Sequence, residues 1–163
     1  MHESHIDRSL PKPRLYAALC DELSALIAGE SDWVANLANA SALLYHSLDQ
    51  VNWTGFYLLR GTELVVGPFQ GKPACVRIAL GRGVCGTAAQ NRQTIVVADV
   101  HQFPGHIACD SASNSEIVVP MIKNDQLIGV LDIDSPITNR FDDEDREGLE
   151  NFVAVILRGN AEG

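Results

Sequence analysis

Three segments of the chain repeat their apolar residues at the spacing of an α-helix. The first ends at Gly29, and the second begins after Ser31, which we expect to cap its first turn. The third starts at Asp142, its predicted cap, and runs to position 158. The predicted apolar face of the first helix is Leu15, Leu19, Leu23, Leu26 and Ile27. That of the second is Trp33, Val34, Leu37, Leu44 and Tyr45, and that of the third is Leu149, Phe152, Val153, Ile156 and Leu157.

The chain between the second and third helical segments has the patterns of β-strands. Two hairpins are predicted, one turning at residues 60–63 and the other at residues 124–126. A short helix is expected at 84–90, whereas residues 99–115 show no clear periodicity. The predicted strands are 53–59, 64–69, 75–80, 94–98, 116–122 and 127–133.

This order of elements favours an α+β fold. We expect the N- and C-terminal helices to cover one face of an antiparallel sheet. The long segment 99–115 is of a length that is uncommon within a compact domain and is often functional, so we expect loops to form a pocket on the other face. The length of 163 residues fits one domain, 1–163, in which residues 1–13 form a loose N-terminal arm.

The charge and the hydropathy pattern exclude several classes of partner. The formal net charge is −9, and the lysines and arginines form no basic stripe, which disfavours nucleic acid. No apolar run approaches the roughly 18 residues of a membrane span, and the first residues lack the apolar core of a secretory signal. We therefore expect a cytoplasmic protein, without a membrane partner, whose thiols are kept reduced.

The four cysteines fall into two groups. Cys20 lies beside the apolar stripe of the first helix, where a buried small hydrophobic residue is the best explanation. Cys75, Cys85 and Cys109 lie in the glycine-rich or irregular segments GKPAC, GRGVCG and GHIACD, whose small residues leave a sulfur accessible. Three such cysteines in one half of a cytosolic chain favour thiol chemistry or a metal site.

Two alternatives compete for these cysteine segments. A zinc site would use His101 and His106 with the three cysteines, but no Cys-x-x-Cys pair is present. The segment 81–86 matches the G-x-G-x-x-G pattern of dinucleotide-binding proteins, but that fingerprint needs a parallel βαβ unit, whereas a loop and an antiparallel hairpin follow here. A tight turn that brings Cys85 near a pocket is the favoured explanation.

Carboxylates and aromatic rings supply further candidates. Asp132 and Asp134 share one face of a predicted strand, and Glu116 begins the partner strand. A solvated strand end is the simplest explanation. The alternative is an acidic cluster that receives a cation or donates a proton, since like charges held close raise the pKa of one member. Trp53 and Tyr57 also share a face, either as core residues or as a wall for a small apolar group.

Three stretches carry a resemblance to a known family: GPFQGKPACVRIALGRGVCGTA, DVHQFPGHIACDSASNSEIVVP and IGVLDIDSP. They resemble the free methionine-(R)-sulfoxide reductases, which are small single-domain enzymes of the GAF fold. The resemblance runs from about position 53 to position 136, almost without gaps. The three-cysteine pattern is more specific than a GAF resemblance alone, because most GAF domains are non-catalytic sensors.

The resemblance implies a role for each matching residue. Cys109 matches the attacking cysteine, Cys75 the main resolving cysteine and Cys85 an auxiliary thiol. Trp53 and Tyr57 match the aromatic wall around the substrate methyl group. The acidic cluster that holds the substrate is matched by Glu116, Asp132 and Asp134.

The activity that the resemblance implies is reduction of free L-methionine (R)-S-oxide to methionine. A cysteine thiolate passes through a sulfenic acid and an intramolecular disulfide, which thioredoxin or another dithiol reduces. No metal or organic cofactor is expected. The resemblance also implies a homodimer, for which the sequence pattern gives no signal. Two alternatives stay open at this point: a non-catalytic GAF sensor for a small metabolite, and a zinc-stabilised interaction protein.

Overall fold

A six-stranded antiparallel sheet lies at the centre of the computed structural model, which describes residues 2–106 and 112–159. The strands follow the order β3-β2-β1-β6-β5-β4 across the sheet. This architecture confirms the α+β class. The elements are α1 (Lys12–Ile27), α2 (Trp33–Ser47), β1 (Trp53–Arg60), β2 (Glu63–Gly71), β3 (Arg77–Ala79), α3 (Gly83–Asn91), β4 (Ile95–Val97), a 3-10 turn (Val100–Gln102), β5 (Ser115–Lys123), β6 (Gln126–Ser135) and α4 (Asp143–Gly159).

One face of the sheet is covered by α1, α2 and α4, as the sequence predicts for the terminal helices. The predicted stripes of α1 and α4 are largely buried, with Leu19, Leu23 and Phe152 fully so. Asp142 caps α4, because its carboxylate accepts hydrogen bonds from the N–H groups of Glu144 and Asp145 at 3.0 and 3.1 Å. This helical layer fixes the sheet from behind and leaves the opposite face to the pocket.

The prediction for α2 is wrong in two details. Its N-cap is Asp32 rather than Ser31, since the Asp32 carboxylate accepts from the Ala35 N–H at 2.9 Å. Val34 is 60% exposed, while Ser41 is fully buried. The Ser41 hydroxyl tolerates burial because it donates to the Leu37 carbonyl oxygen at 2.8 Å. Hydropathy alone therefore misassigns the buried face of this helix.

The strands differ little from the prediction. The second hairpin turns through Asn124 and Asp125, whose φ angles of 53° and 62° give the two-residue loop that matches strand twist. β3 is shorter than expected, so Cys75 precedes the strand rather than lying in it. The helix α3 joins the loops on the face opposite α1, α2 and α4.

The first residues of the chain are in contact with the rest of the fold. α1 begins at Lys12, inside the segment predicted as a loose arm, and Pro11 is its N-cap. Ile6 and Leu10 pack against the core under the helices, and the side chains of His2 and Ser4 bond to Glu22. Within residues 2–106 and 112–159, no helix has the length and apolar character needed to span a membrane.

Candidate active site

The register of the sheet brings the predicted acids and aromatic residues together. Trp53 on β1 pairs with Asp134 on β6, which in turn pairs with Glu116 on β5. Residues in such a cross-strand row point to the same face of the sheet. Asp132 and Tyr57 lie two and four residues along their strands and therefore share that face. The acidic and aromatic candidates of the sequence therefore lie on one face of the sheet.

Two stacked rings form the aromatic wall, Trp53 and Tyr57. Their centroids lie 5.8 Å apart with an interplanar angle of 26°, and both side chains are buried. The Trp53 indole N–H donates to the Lys72 carbonyl oxygen at 3.1 Å, and the Tyr57 O–H donates to the Cys75 carbonyl oxygen at 3.0 Å. These bonds fix the orientation of both rings and join the wall to the segment that carries Cys75.

Gly55, between the two rings in sequence, makes this wall possible. A Cβ atom at Gly55 would lie 2.2 Å from the Phe69 Cβ and 2.9 Å from the Trp53 ring, closer than atoms can approach. Because Gly55 has no side chain, the rings of Trp53 and Phe69 can stack with their centroids 5.0 Å apart. Gly55 was not among the residues predicted to form the site, although a glycine inside a strand often marks such a close approach.

Glu116, Asp132 and Asp134 form the acidic cluster beside this wall. Glu116 is 7% exposed and Asp132 is 5% exposed, so the expectation of a solvated strand end is wrong for these two residues. Burial raises the pKa of Glu116 well above its ordinary value, and the charges of Asp132 and Asp134 raise it further. Burial also raises the pKa of Asp132, although hydrogen bonds with its neighbours oppose the shift. The raised pKa of Glu116 favours its protonated form, which makes Glu116 the candidate proton donor of the cluster.

Cys85 faces this cluster from the first turn of α3. Its thiol donates to a Glu116 carboxylate oxygen, with 3.9 Å between sulfur and oxygen, and the side chain is buried. Burial raises the pKa of the thiol well above its ordinary value, and the carboxylates of Asp132 and Glu116 add to the shift. Cys85 is therefore a protonated thiol at neutral pH and a poor nucleophile.

The glycines around Cys85 serve a turn and close packing. Gly81 and Gly83 have positive φ angles of 85° and 62°. A Cβ atom at Gly86 would lie 2.4 Å from the Ala79 carbonyl oxygen, so only glycine lets α3 start this close to the end of β3. Every strand pairing in the described part of the chain is antiparallel, so the parallel βαβ unit that dinucleotide binding requires is not formed there. The structure thus has the predicted tight turn that brings Cys85 to the pocket.

The other cysteines are in different states. Cys75 is half-buried in the segment between β2 and β3 and is disulfide-bonded. Cys20 is a free thiol, half-buried on α1 and packed against the helical core as expected. Burial raises the pKa of Cys20. Cys109, the predicted attacking residue, lies outside the described residues.

A pocket opens where the wall, the acidic cluster and α3 meet. Lys72, Arg82 and Ser113 also line the pocket; they lie inside the cysteine-containing stretches of the sequence, but no role was predicted for them. His106 lines the pocket, whereas the His101 ring bonds to the Asn114 side-chain oxygen at 3.1 Å. The described lining residues are Trp53, Tyr57, Lys72, Pro73, Ala74, Ile78, Arg82, Gly83, Val84, Cys85, His106, Ser113, Glu116, Asp132 and Asp134.

The zinc set considered from the sequence is not assembled in the described part of the chain. There, the ligand atoms that lie within reach of one metal ion belong to Cys85, Glu116 and Asp132, without either histidine. The rings of His101 and His106 contact each other edge to face, with centroids 6.4 Å apart. Burial and the neighbouring His101 lower the pKa of His106, so this ring is neutral at pH 7.

Comparison with known proteins agrees with this site. The chain matches the GAF domain family over residues 17–157. It is 59% identical to the free methionine-R-sulfoxide reductase of Escherichia coli (strain K12) over 145 residues, 89% of this chain and 88% of that protein.

Among solved structures, the fRMsr of Staphylococcus aureus in complex with substrate has a TM-score of 0.86 and 59% identity, covering 89% of this chain and 95% of its own. The free methionine-R-sulfoxide reductase of Neisseria meningitidis in complex with its substrate has a TM-score of 0.93 and 43% identity, covering 99% and 96%. This chain therefore belongs to the GAF-domain family of free methionine-R-sulfoxide reductases.

Proposed function

We propose that this protein reduces free L-methionine (R)-S-oxide to methionine through the thiolate of Cys109, with a disulfide between Cys109 and Cys75 as its oxidised form. As a member of its family it is an oxidoreductase. The observation that carries the proposal is the pocket, in which a buried acidic cluster stands directly beside a stacked aromatic wall.

The composition of the pocket suits a free amino acid. Carboxylates of the acidic cluster are the natural partners of an α-ammonium group, which a methionine inside a peptide lacks. A peptide would instead bring a neutral amide to buried acids and leave their charge uncompensated. The rings of Trp53 and Tyr57 line the pocket and offer an apolar surface for the methyl group of the sulfoxide.

The proposed chemistry starts at the sulfur of the sulfoxide. The Cys109 thiolate attacks this sulfur while the protonated Glu116 gives its proton to the sulfoxide oxygen. The attack forms a bond between the Cys109 sulfur and the substrate sulfur. The hydroxyl then passes from the substrate sulfur to the Cys109 sulfur as that bond and the S–O bond break, so methionine leaves and Cys109 becomes a sulfenic acid. The Cys75 thiol then attacks the sulfenic sulfur, which forms the disulfide and releases water. The two thiols thus supply the electrons that reduce the sulfoxide.

The states of the described cysteines support this division of roles. Cys75 is disulfide-bonded while Cys20 and Cys85 are free thiols, so Cys109 is the partner that we propose for Cys75. The burial and raised pKa of Cys85 favour an auxiliary role over that of a resolving nucleophile. The hydrogen bond from Tyr57 to the Cys75 carbonyl oxygen links the resolving segment to the substrate wall.

Recycling of the enzyme requires an external dithiol. We propose thioredoxin or an equivalent dithiol, which would reduce the disulfide by thiol–disulfide exchange. The reaction as written consumes only thiols and protons and calls for no metal or organic cofactor. Dimerisation stays a prediction from the family resemblance.

The deciding experiment is a single-turnover assay. Reduced protein is mixed with free methionine (R)-sulfoxide without any recycling reductant, and methionine and free thiols are counted. We expect one molecule of methionine for each disulfide formed, after which the reaction stops. The (S)-sulfoxide and N-acetyl-methionine (R)-sulfoxide serve as controls that should yield little product. If neither methionine nor thiol loss is observed with the (R)-sulfoxide, the proposal fails and a GAF sensor becomes the better hypothesis.

A second prediction concerns the aromatic wall. Replacing Gly55 with alanine forces the new Cβ against Phe69 and Trp53, so we expect the Trp53 ring to move and the KM for methionine sulfoxide to rise. The overpacking should also lower the free energy of unfolding by about 1–3 kcal/mol. Steady-state kinetics and chemical denaturation measure both effects. The control is Gly67→Ala, whose new Cβ would stand no closer than 3.2 Å to its neighbours. Equal KM values for the two variants would contradict the role assigned to Gly55.

A further inference from the structure

The acidic cluster and Cys85 together have the geometry of a metal-binding site. The Cys85 sulfur and carboxylate oxygens of Glu116 and Asp132 all lie within 4.8 Å of one another, and all three residues are buried. They come from α3, β5 and β6, so the packing of three elements fixes their positions. Thiolate and carboxylate ligands around Zn²⁺ stand about 3–4 Å apart when the metal bonds have their usual lengths. The sulfur-to-oxygen distance of 3.9 Å between Cys85 and Glu116 fits that spacing.

An independent observation on Asp132 supports a cation ligand at this cluster. The Oδ1 atom of Asp132 is fully buried and has no hydrogen-bond partner within residues 2–106 and 112–159. The whole residue is only 5% exposed, and it is one of the three that share the cluster. A buried carboxylate oxygen without a partner is costly, and a bound metal ion is one of the few groups that compensate for it.

We propose that Cys85, Glu116 and Asp132 form a binding site for a thiophilic divalent cation such as Zn²⁺. The protein supplies three ligands, and the fourth position opens into the pocket, as in zinc sites that keep an exchangeable ligand. On binding, the Cys85 thiol and the protonated carboxyl release their protons to water, and no atom changes its oxidation state. The metal would occupy the acids that the substrate ammonium needs, so, on the proposed function, it inhibits the enzyme reversibly.

The test uses the oxidised protein, in which Cys75 is already engaged in a disulfide. Cd²⁺ is titrated in, and the near-ultraviolet charge-transfer band of a cadmium thiolate is recorded. We expect the band to saturate in the wild type and in Cys20→Ser, which removes the other free thiol of the described residues, and to disappear in Cys85→Ser. Asp132→Asn should weaken binding by about tenfold or more. Zn²⁺ added afterwards should displace Cd²⁺ and abolish the band.

The outcomes separate the site from the proposed function. Persistence of the band in Cys85→Ser, or its absence in the wild type, would overturn the metal site. Circular dichroism of each variant establishes that the variant is folded. Activity is then measured with and without Zn²⁺. A raised KM for methionine sulfoxide that a chelator reverses is the expected result, and unchanged kinetics at saturating Zn²⁺ would refute inhibition. Protein that binds Cd²⁺ through Cys85 but reduces no sulfoxide would keep the site and refute the proposed function.

Discussion

Replacing Cys109 with serine is expected to lower methionine formation by about a thousandfold or more. A serine hydroxyl stays protonated and weakly nucleophilic at neutral pH, so the attack on the sulfoxide sulfur is lost rather than slowed. The variant should still bind methionine sulfoxide, because the acidic cluster and the aromatic wall are unchanged. Isothermal titration with the sulfoxide and a steady-state assay measure the two properties separately.

The companion variant Cys75→Ser distinguishes attack from recycling. It should form methionine in the first turnover and then stall as the sulfenic acid of Cys109, which a dimedone-type reagent traps. Steady-state turnover with thioredoxin should fall sharply, while Cys20→Ser, whose thiol lies on α1, should behave as the wild type. Near-normal turnover in Cys109→Ser would disprove the assignment of the nucleophile. Near-normal steady-state rates in Cys75→Ser would disprove only its resolving role.

The faces of the strands could be predicted from the sequence because side chains alternate with a strict period of two. That period alone puts Asp132 and Asp134 on the same face of their strand, and Trp53 and Tyr57 on the same face of theirs. The period cannot tell which two faces coincide, since that depends on the register between strands. The observed pairing of Trp53 with Asp134 settles this point, and it connects positions far apart in the chain.

The burial of the acids could not be predicted for a physical reason. An isolated carboxylate in a strand is expected at the surface because burying its charge is costly. Glu116 and Asp132 are buried because α3 covers this face, and the raised pKa of Glu116 favours its neutral form. The contact between Cys85 and Glu116 joins residues 31 positions apart, and no local pattern encodes it. Ser41 is likewise buried against its hydropathy, because its hydroxyl donates to the Leu37 carbonyl oxygen of its own helix and to the Pro68 carbonyl oxygen on β2.

Replacing Glu116 with glutamine should separate catalysis from stability. The amide keeps the shape of the side chain but is not an acid, so proton donation to the sulfoxide oxygen is lost and kcat should fall by about a hundredfold or more. The exposed Glu147 on α4 offers a control, Glu147→Gln, which should leave kcat unchanged. If Glu116→Gln keeps its kcat and Asp132→Asn loses it, the donor is Asp132 instead.

The same variant, Glu116→Gln, should gain stability although its kcat falls. The raised pKa of Glu116 means that the folded protein keeps this proton at a pH where an unfolded glutamate has lost it. From about pH 4 upwards the unfolded chain therefore binds fewer protons than the folded protein does. The wild-type free energy of unfolding then falls, by up to about 1.4 kcal/mol per pH unit, until Glu116 ionises in the folded state. Glutamine removes this slope, so the variant should gain stability relative to the wild type from about pH 4 upwards, until Glu116 ionises in the folded wild type. Denaturation across that range tests the prediction, and parallel curves for the two proteins would mean that Glu116 is ionised in the folded state and is not the proton donor.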